Sequence, residues 1–252
     1  MDQLPIVTEM ARRNWSFEET VLIVDCGSSI DKRFYGPHFY YPDEDFTGGK
    51  TRGFVEGMRL LGDSYDYYLW LHPDICFSSD LSALKQMMRV LVKNPAVGLV
   101  SPHTPNPFAG MEVVGPDPTW HRAAALDFLA WLVRGDAYRA VGPLDLRFAH
   151  GWGTNVDYTY RMWKAGWQVA YCDAARVHHL GGTTYGAEGT ATKSRRQYLM
   201  DARLEAWSGL CDKYGEDWGE LMSEALPADV EVNAFLLLWE LWSQEAFIPE
   251  GV

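Results

Sequence analysis

The chemistry of this chain concentrates in the stretch 66–74, which reads Asp-Tyr-Tyr-Leu-Trp-Leu-His-Pro-Asp. Asp74 can ligate a cation, and His72 lies two residues before it. A second carboxylate, Asp25, opens the polar run Asp25-Cys26-Gly27-Ser28-Ser29. It can accept a hydrogen bond from a ribose hydroxyl or a base edge, and a capped turn is the alternative. A third stretch reads Gly151-Trp152-Gly153-Thr154-Asn155-Val156-Asp157. Thr154 and Asp157 have capping-box spacing, so Asp157 reads either as a helix-cap acid or as a reactive one. A helix starting there also offers backbone donors to an anion or a substrate hydroxyl. The fourth stretch is His178-His179-Leu180-Gly181-Gly182. A histidine pair alone is usually filler. With Asp74 it makes a two-residue cation site of oxygen and imidazole, which suits manganese or magnesium with phosphate oxygens.

The elements that must position these groups follow from periodicity. Tyr67–Leu71 is a short apolar run that predicts a buried strand, ended by Pro73. Asp74 then falls on the loop past a strand's carboxyl end, where open α/β sheets bind ligands. Residues 21–24 predict another strand, with Asp25 on the loop that follows. Residues 4–14 carry a helix-like or mixed pattern, and helices are predicted at 51–61, 81–93, 136–141 and 154–164, the second capped by Ser78, Ser79 or Asp80. Gly142 and Gly166 are placed to end two of them. Further strands are predicted at 97–101, 126–133 and 167–171. Residues 102–121 form a long Pro- and Gly-rich loop of the kind that binds ligands. Two more helices, at 193–214 and 232–247, predict burial of Phe235, Leu238 and Trp242.

Strands alternating with helices predict an α/β fold, a single domain with a mainly parallel central sheet flanked by helices and a C-terminal helical extension. Residues 1–190 are expected to form the binding domain. Residues 191–252 are expected to pack on it or on a partner subunit, giving a homo-oligomer.

The net charge of -12 argues against a nucleic-acid partner and leaves room for a bound cation. Cys26, Cys76, Cys172 and Cys211 form no metal or disulfide pattern, which points to a reducing, cytoplasmic setting. No apolar run is long enough for a transmembrane segment, and the first residues do not read as a signal peptide.

Taken in order, the four stretches resemble those of family 2 glycosyltransferases and their relatives with the GT-A fold, the nucleotide-diphospho-sugar transferase superfamily. Residues 21–29 resemble the strand-Asp-x-Gly-Ser segment. His72-Pro73-Asp74 resembles the metal-binding Asp-x-Asp element. Residues 142–148, then Gly151-Trp152-Gly153 with residues 157–161, resemble the acceptor-side motif. His178-His179-Leu180-Gly181-Gly182 resembles the late His-x-Gly-Gly segment, and its glycines align on His179. The match spans roughly residues 20–185.

The resemblance implies a hexosyltransferase that moves a sugar from a nucleoside-diphosphate sugar, UDP type favoured, to an acceptor of unstated nature. Asp25, Gly27, Ser28, His72 and Asp74 would contact the nucleotide. Asp74 and His179 would hold Mn2+ or Mg2+. Trp152, Gly153 and Thr154 would face the sugar and acceptor.

The chain departs from the pattern in three places. Only 24 residues precede Asp25, which predicts a nucleotide pocket that is in part missing or rebuilt. His72 replaces the first acid of the metal motif. Thr154-Asn155 stands where inverting members carry Glu-Asp, whose Asp is the general base. Asn155 cannot take a proton, whereas some retaining relatives carry Asn here. Asp157 is then the remaining carboxylate for a base. A non-catalytic or degenerate GT-A-fold protein that binds nucleotide or nucleotide sugar is the alternative. A metal-dependent diphosphate hydrolase or nucleotidyl transferase would need a glycine-rich basic phosphate loop, which the N-terminal region lacks.

Overall fold

A computed structural model describes residues 23–26, 38–41, 49–72, 75–77, 82–104, 119–179, 194–230 and 232–244. Strands β1 (Ile23–Cys26) and β2 (His38–Tyr41) pair in parallel. Helix α1 (Gly49–Leu61) leads to β3 (Tyr67–Leu71), the short β4 (Ile75–Cys76), α2 (Ser82–Lys93) and β5 (Val97–His103). Then come β6 (His121–Arg122), β7 (Ala130–Arg134), α3 (Gly135–Val141) and α4 (Thr154–Lys164). The chain continues through β8 (Gln168–Arg176), β9 (His178–His179), α5 (Arg195–Tyr214), α6 (Trp218–Ser223) and α7 (Ala234–Ser243).

The central sheet has five strands in the order β3-β7-β5-β8-β6. β5 and β8 are parallel, and the other three pairings are antiparallel. So β3, β5 and β8 run one way while β7 and β6 run the other. The α/β class holds, but the sheet is mixed rather than mainly parallel. A parallel return needs a crossover, commonly a helix. No helix is present between β5 and β7 among the described residues. The chain therefore leaves β5 and re-enters as β7 from the same edge.

Alternation within the strands divides the core. Trp131 and Val133 of β7 join Leu99 of β5 on one face, where α4 and the C-terminal helices pack. Ala130 and Leu132 join Val100 on the other face, against Leu84, Met87 and Leu91 of α2. β7 is buried on both faces, so the alternating strand expected at 126–133 is corrected: Leu126 and Phe128 lie in the turn before it. Asn94 ends α2 by donating both its amide and its Nδ2 to the Val90 carbonyl, at 3.0 and 2.8 Å.

Phe235, Leu238 and Trp242 of α7 are buried within the chain, in the same cluster as Val156 and Tyr158 of α4. The helix-like or mixed pattern at 4–14, and the expected caps Ser78, Ser79 and Asp80, lie outside the described residues.

Candidate functional site

Because β3, β5 and β8 are co-directional, their carboxyl ends share one edge of the sheet. β7 begins at that same edge, and the His72 amide just past β3 donates to the Leu129 carbonyl at 2.9 Å. His72 stacks on Phe54 with centroids 5.9 Å apart and meets Phe128 edge-on at 5.5 Å. Burial first, then the Lys50 ammonium and His179, hold its pKa well below the usual histidine value. His72 is therefore neutral near pH 7, and its charge is coupled to those of Lys50 and His179.

His179 is exposed on β9, directly opposite Ile75 of β4. The segment that immediately follows Asp74 is thus paired to the histidine whose glycines suggested a metal ligand. Asp74 itself, together with Gly27 and Ser28, lies outside the described residues. Among the described residues no three His, Cys, Asp or Glu side chains gather as a metal cage.

Asp25 lies inside β1, opposite Tyr40, rather than on the loop after the strand. The reason is that β1 finds a partner in β2, which extends it by two residues beyond the apolar run.

The glycine turn is built by close approach. Gly153 has a φ of +77°, and a Cβ there would lie 2.6 Å from the Phe148 ring. Gly151, at φ +85°, has the Lys50 side chain against it, 2.9 Å from where a Cβ would sit. Lys50 Nζ also lies 5.0 Å over the Phe128 ring. Thr51 of α1 donates its hydroxyl proton to the Phe148 carbonyl at 2.6 Å, and the Thr154 hydroxyl of α4 lies 3.1 Å from Thr51 Oγ1 and 3.3 Å from the same carbonyl, donating to one of them. The start of α1 is thereby held to the start of α4. Helix N-termini carry partial positive charge and unladdered amides, so the junction favours an anion.

Thr154 does not cap α4, because its hydroxyl is committed to Phe148 and Thr51. Asp157 does not cap it either: no side chain caps this helix. The capping-box reading is corrected accordingly. Asp157 is fully buried and faces α5. Its Oδ1 accepts from Lys213 Nζ and the Tyr214 hydroxyl, both at 2.6 Å, and its Oδ2 from Arg161 Nε at 2.9 Å. Burial and this carboxylate push the Tyr214 hydroxyl's pKa far up. Asn155, by contrast, is buried at 8 % exposure, and its Oδ1 has no hydrogen-bond partner among the described residues. Trp152 is half-buried and stacks on Trp242, centroids 5.9 Å apart.

The fold therefore gathers His72, His179 and the Gly151–Asn155 turn around Lys50 and Phe128, and turns Asp157 toward α5. Sequence reasoning missed Lys50 and Thr51. Their signal was a glycine pair, Gly48-Gly49, followed by a cation and a hydroxyl at a helix start. It also missed His150 and Glu205, which meet across 55 positions of sequence with no local signal.

Farther along the same edge, His121 Nδ1 lies 2.8 Å from Oδ2 of the buried Asp173. Burial and the neighbouring Arg176 lower the pKa of His103 there.

No protein-family model matches the chain, and no curated protein does. Among solved structures, a crystal structure of GalNAc-T7 with UDP, GalNAc and Mn2+ is similar at 14 % identity and a TM-score of 0.48, over 90 % of this chain and 48 % of that one. The chain spans about half the length of that protein. Among the described residues no helix is long and apolar enough to cross a membrane.

Proposed function

We propose that this protein is a metal-dependent glycosyltransferase, family 2-like with a GT-A-like fold, that moves a hexose from a nucleoside-diphosphate sugar to an acceptor hydroxyl. UDP is the favoured nucleotide and the cytoplasm the favoured location. The observation that carries the reading is the pairing of Ile75 with His179, which joins the segment after Asp74 to the late histidine. A carboxylate and an imidazole are a fitting donor set for Mn2+ or Mg2+ when phosphate oxygens complete the shell. Asp74 and His179 would hold such an ion, and bound there it would offset charge on the departing diphosphate.

The chain's own groups support the same chemistry. Lys50 and the joined helix starts of α1 and α4 attract the diphosphate. His72, neutral and packed between rings, supplies a hydrogen-bonding group without adding charge. Asn155 Oδ1 receives a hydrogen bond from a substrate hydroxyl, which would satisfy its buried acceptor. Asp25, Gly27 and Ser28 contact the nucleoside in this reading. Trp152, half-buried, faces the sugar and acceptor in this reading, while the buried Gly153 and Thr154 shape the turn that carries it.

Calorimetry with UDP, in manganese and in chelator, tests the proposal. Binding should require the ion and should be lost in Asp74→Ala and in His179→Ala. Equal affinity with and without the ion would refute it.

A second reading is favoured by two observations together: Asn155 in place of an acid, and Asp157 fully engaged by α5. In it the chain binds the nucleotide sugar without transferring it. Incubation with a panel of nucleotide sugars and saccharide acceptors separates the two, since only the first reading releases nucleoside diphosphate.

A further inference from the structure

His150 immediately precedes the glycine turn, and Glu205 on α5 grips it twice. Glu205 Oε1 accepts from the His150 amide at 2.9 Å, and Oε2 lies 2.8 Å from Nδ1. Tyr198, also on α5, places its ring 5.4 Å from the imidazole and its hydroxyl on the His150 carbonyl at 3.4 Å. A carboxylate at Nδ1 keeps the proton on that nitrogen and leaves Nε2 as the basic one. Nε2 has no hydrogen-bond partner among the described residues, and the side chain keeps 20 % of its surface exposed.

We propose that His150 Nε2 is the general base of an inverting transfer, replacing the carboxylate that position 155 lacks, and that Glu205 is its positioning residue. The inference rests on the transferase reading. Nε2 takes the proton of the acceptor hydroxyl as that oxygen bonds to the anomeric carbon. The bond from that carbon to the diphosphate oxygen breaks, and its electron pair leaves with the diphosphate. The imidazolium stays beside Glu205 and then yields its proton to solvent. Two further groups lie against this imidazole or its turn: Tyr198 from α5, and Lys50 from α1 against Gly151.

The test compares the wild type with His150→Asn, Glu205→Gln and Glu205→Asp. Asparagine keeps a donor near the Nδ1 position, so the tie to Glu205 survives while the base is removed. His150→Asn should bind UDP with manganese as the wild type does, keep its melting temperature, and lose turnover by about 10²–10⁴-fold. Glu205→Gln should lower kcat and leave KM for the nucleotide sugar unchanged, and Glu205→Asp should recover part of the loss. The product should carry the inverted anomeric configuration. A His150→Asn enzyme with wild-type turnover, or a product of retained configuration, overturns the proposal while leaving the transferase reading in place. A wild type that binds nucleotide sugar and never transfers it ends the transferase reading, and this inference with it, before any variant is made.

Discussion

Asp157 and Tyr214 share a 2.6 Å hydrogen bond that fastens the first turn of α4 to the last turn of α5. Lys213 and Arg161 complete the clamp on a carboxylate with no exposed surface. Breaking a buried ion pair from one side leaves charge uncompensated, and Asp157→Asn should cost about 3 kcal/mol in urea denaturation. The loss sits at the lower end of the usual range because Lys213 keeps Asp145, 2.8 Å away. A helix-cap acid would cost only about 1 kcal/mol. A stable variant with a specific loss of turnover would restore Asp157 as the base.

His72 makes stability depend on pH. Its folded pKa lies below the unfolded value of about 6.5, so the unfolded chain binds the extra proton first as pH falls. The stabilisation is complete above that unfolded value and is lost on acidification from there down through the folded pKa. His103 is shifted the same way and adds to the effect. Urea midpoints taken near pH 7.5 and near pH 5.5 should fall more in the wild type than in His72→Gln. Equal falls in the two proteins would contradict the assignment.

Gly153→Ala forces a side chain onto a left-handed backbone and into Phe148. The two effects together should cost about 2–4 kcal/mol, visible as a lower melting temperature. Shrinking the ring with Phe148→Leu in the same chain should recover only the clash. Full recovery would show that the backbone at Gly153 is not strained.

The parts of the molecule legible in sequence were those written locally. The apolar period placed α4 at Thr154–Lys164, and β3 ends at Leu71, as expected, with His72 just beyond it. Strand direction was not legible, because nothing in residues 104–129 says from which edge the chain returns. β4 and β9 were also hidden: two-residue strands carry no periodicity, and only their mutual pairing reveals them. Asp157 misled for a related reason. Its spacing from Thr154 is that of a capping box, yet two of its three partners lie 56 and 57 positions away on another helix. The aspects of the site that depend on α5, including Glu205 against His150, are tertiary and have no local spelling.

The position of Asn155 offers a decisive comparison with His150. Both flank the turn 151–154, and one has a buried acceptor atom while the other has a carboxylate-backed imidazole. If His150 supplies the basic function that position 155 lacks, a carboxylate restored at 155 should make the imidazole dispensable. Asn155→Asp in the His150→Asn background should then regain most of the lost turnover, a change of about 10²-fold or more. In the wild-type background the same substitution should add little, because one base suffices for one proton. Burying a new carboxylate at position 155, which is 8 % exposed, also has a cost, so the double variant should melt lower than His150→Asn. The assay is initial-rate release of nucleoside diphosphate, with acceptor product followed by chromatography. A double variant as inactive as His150→Asn, with nucleotide binding intact, would mean that the two positions do not serve the same proton.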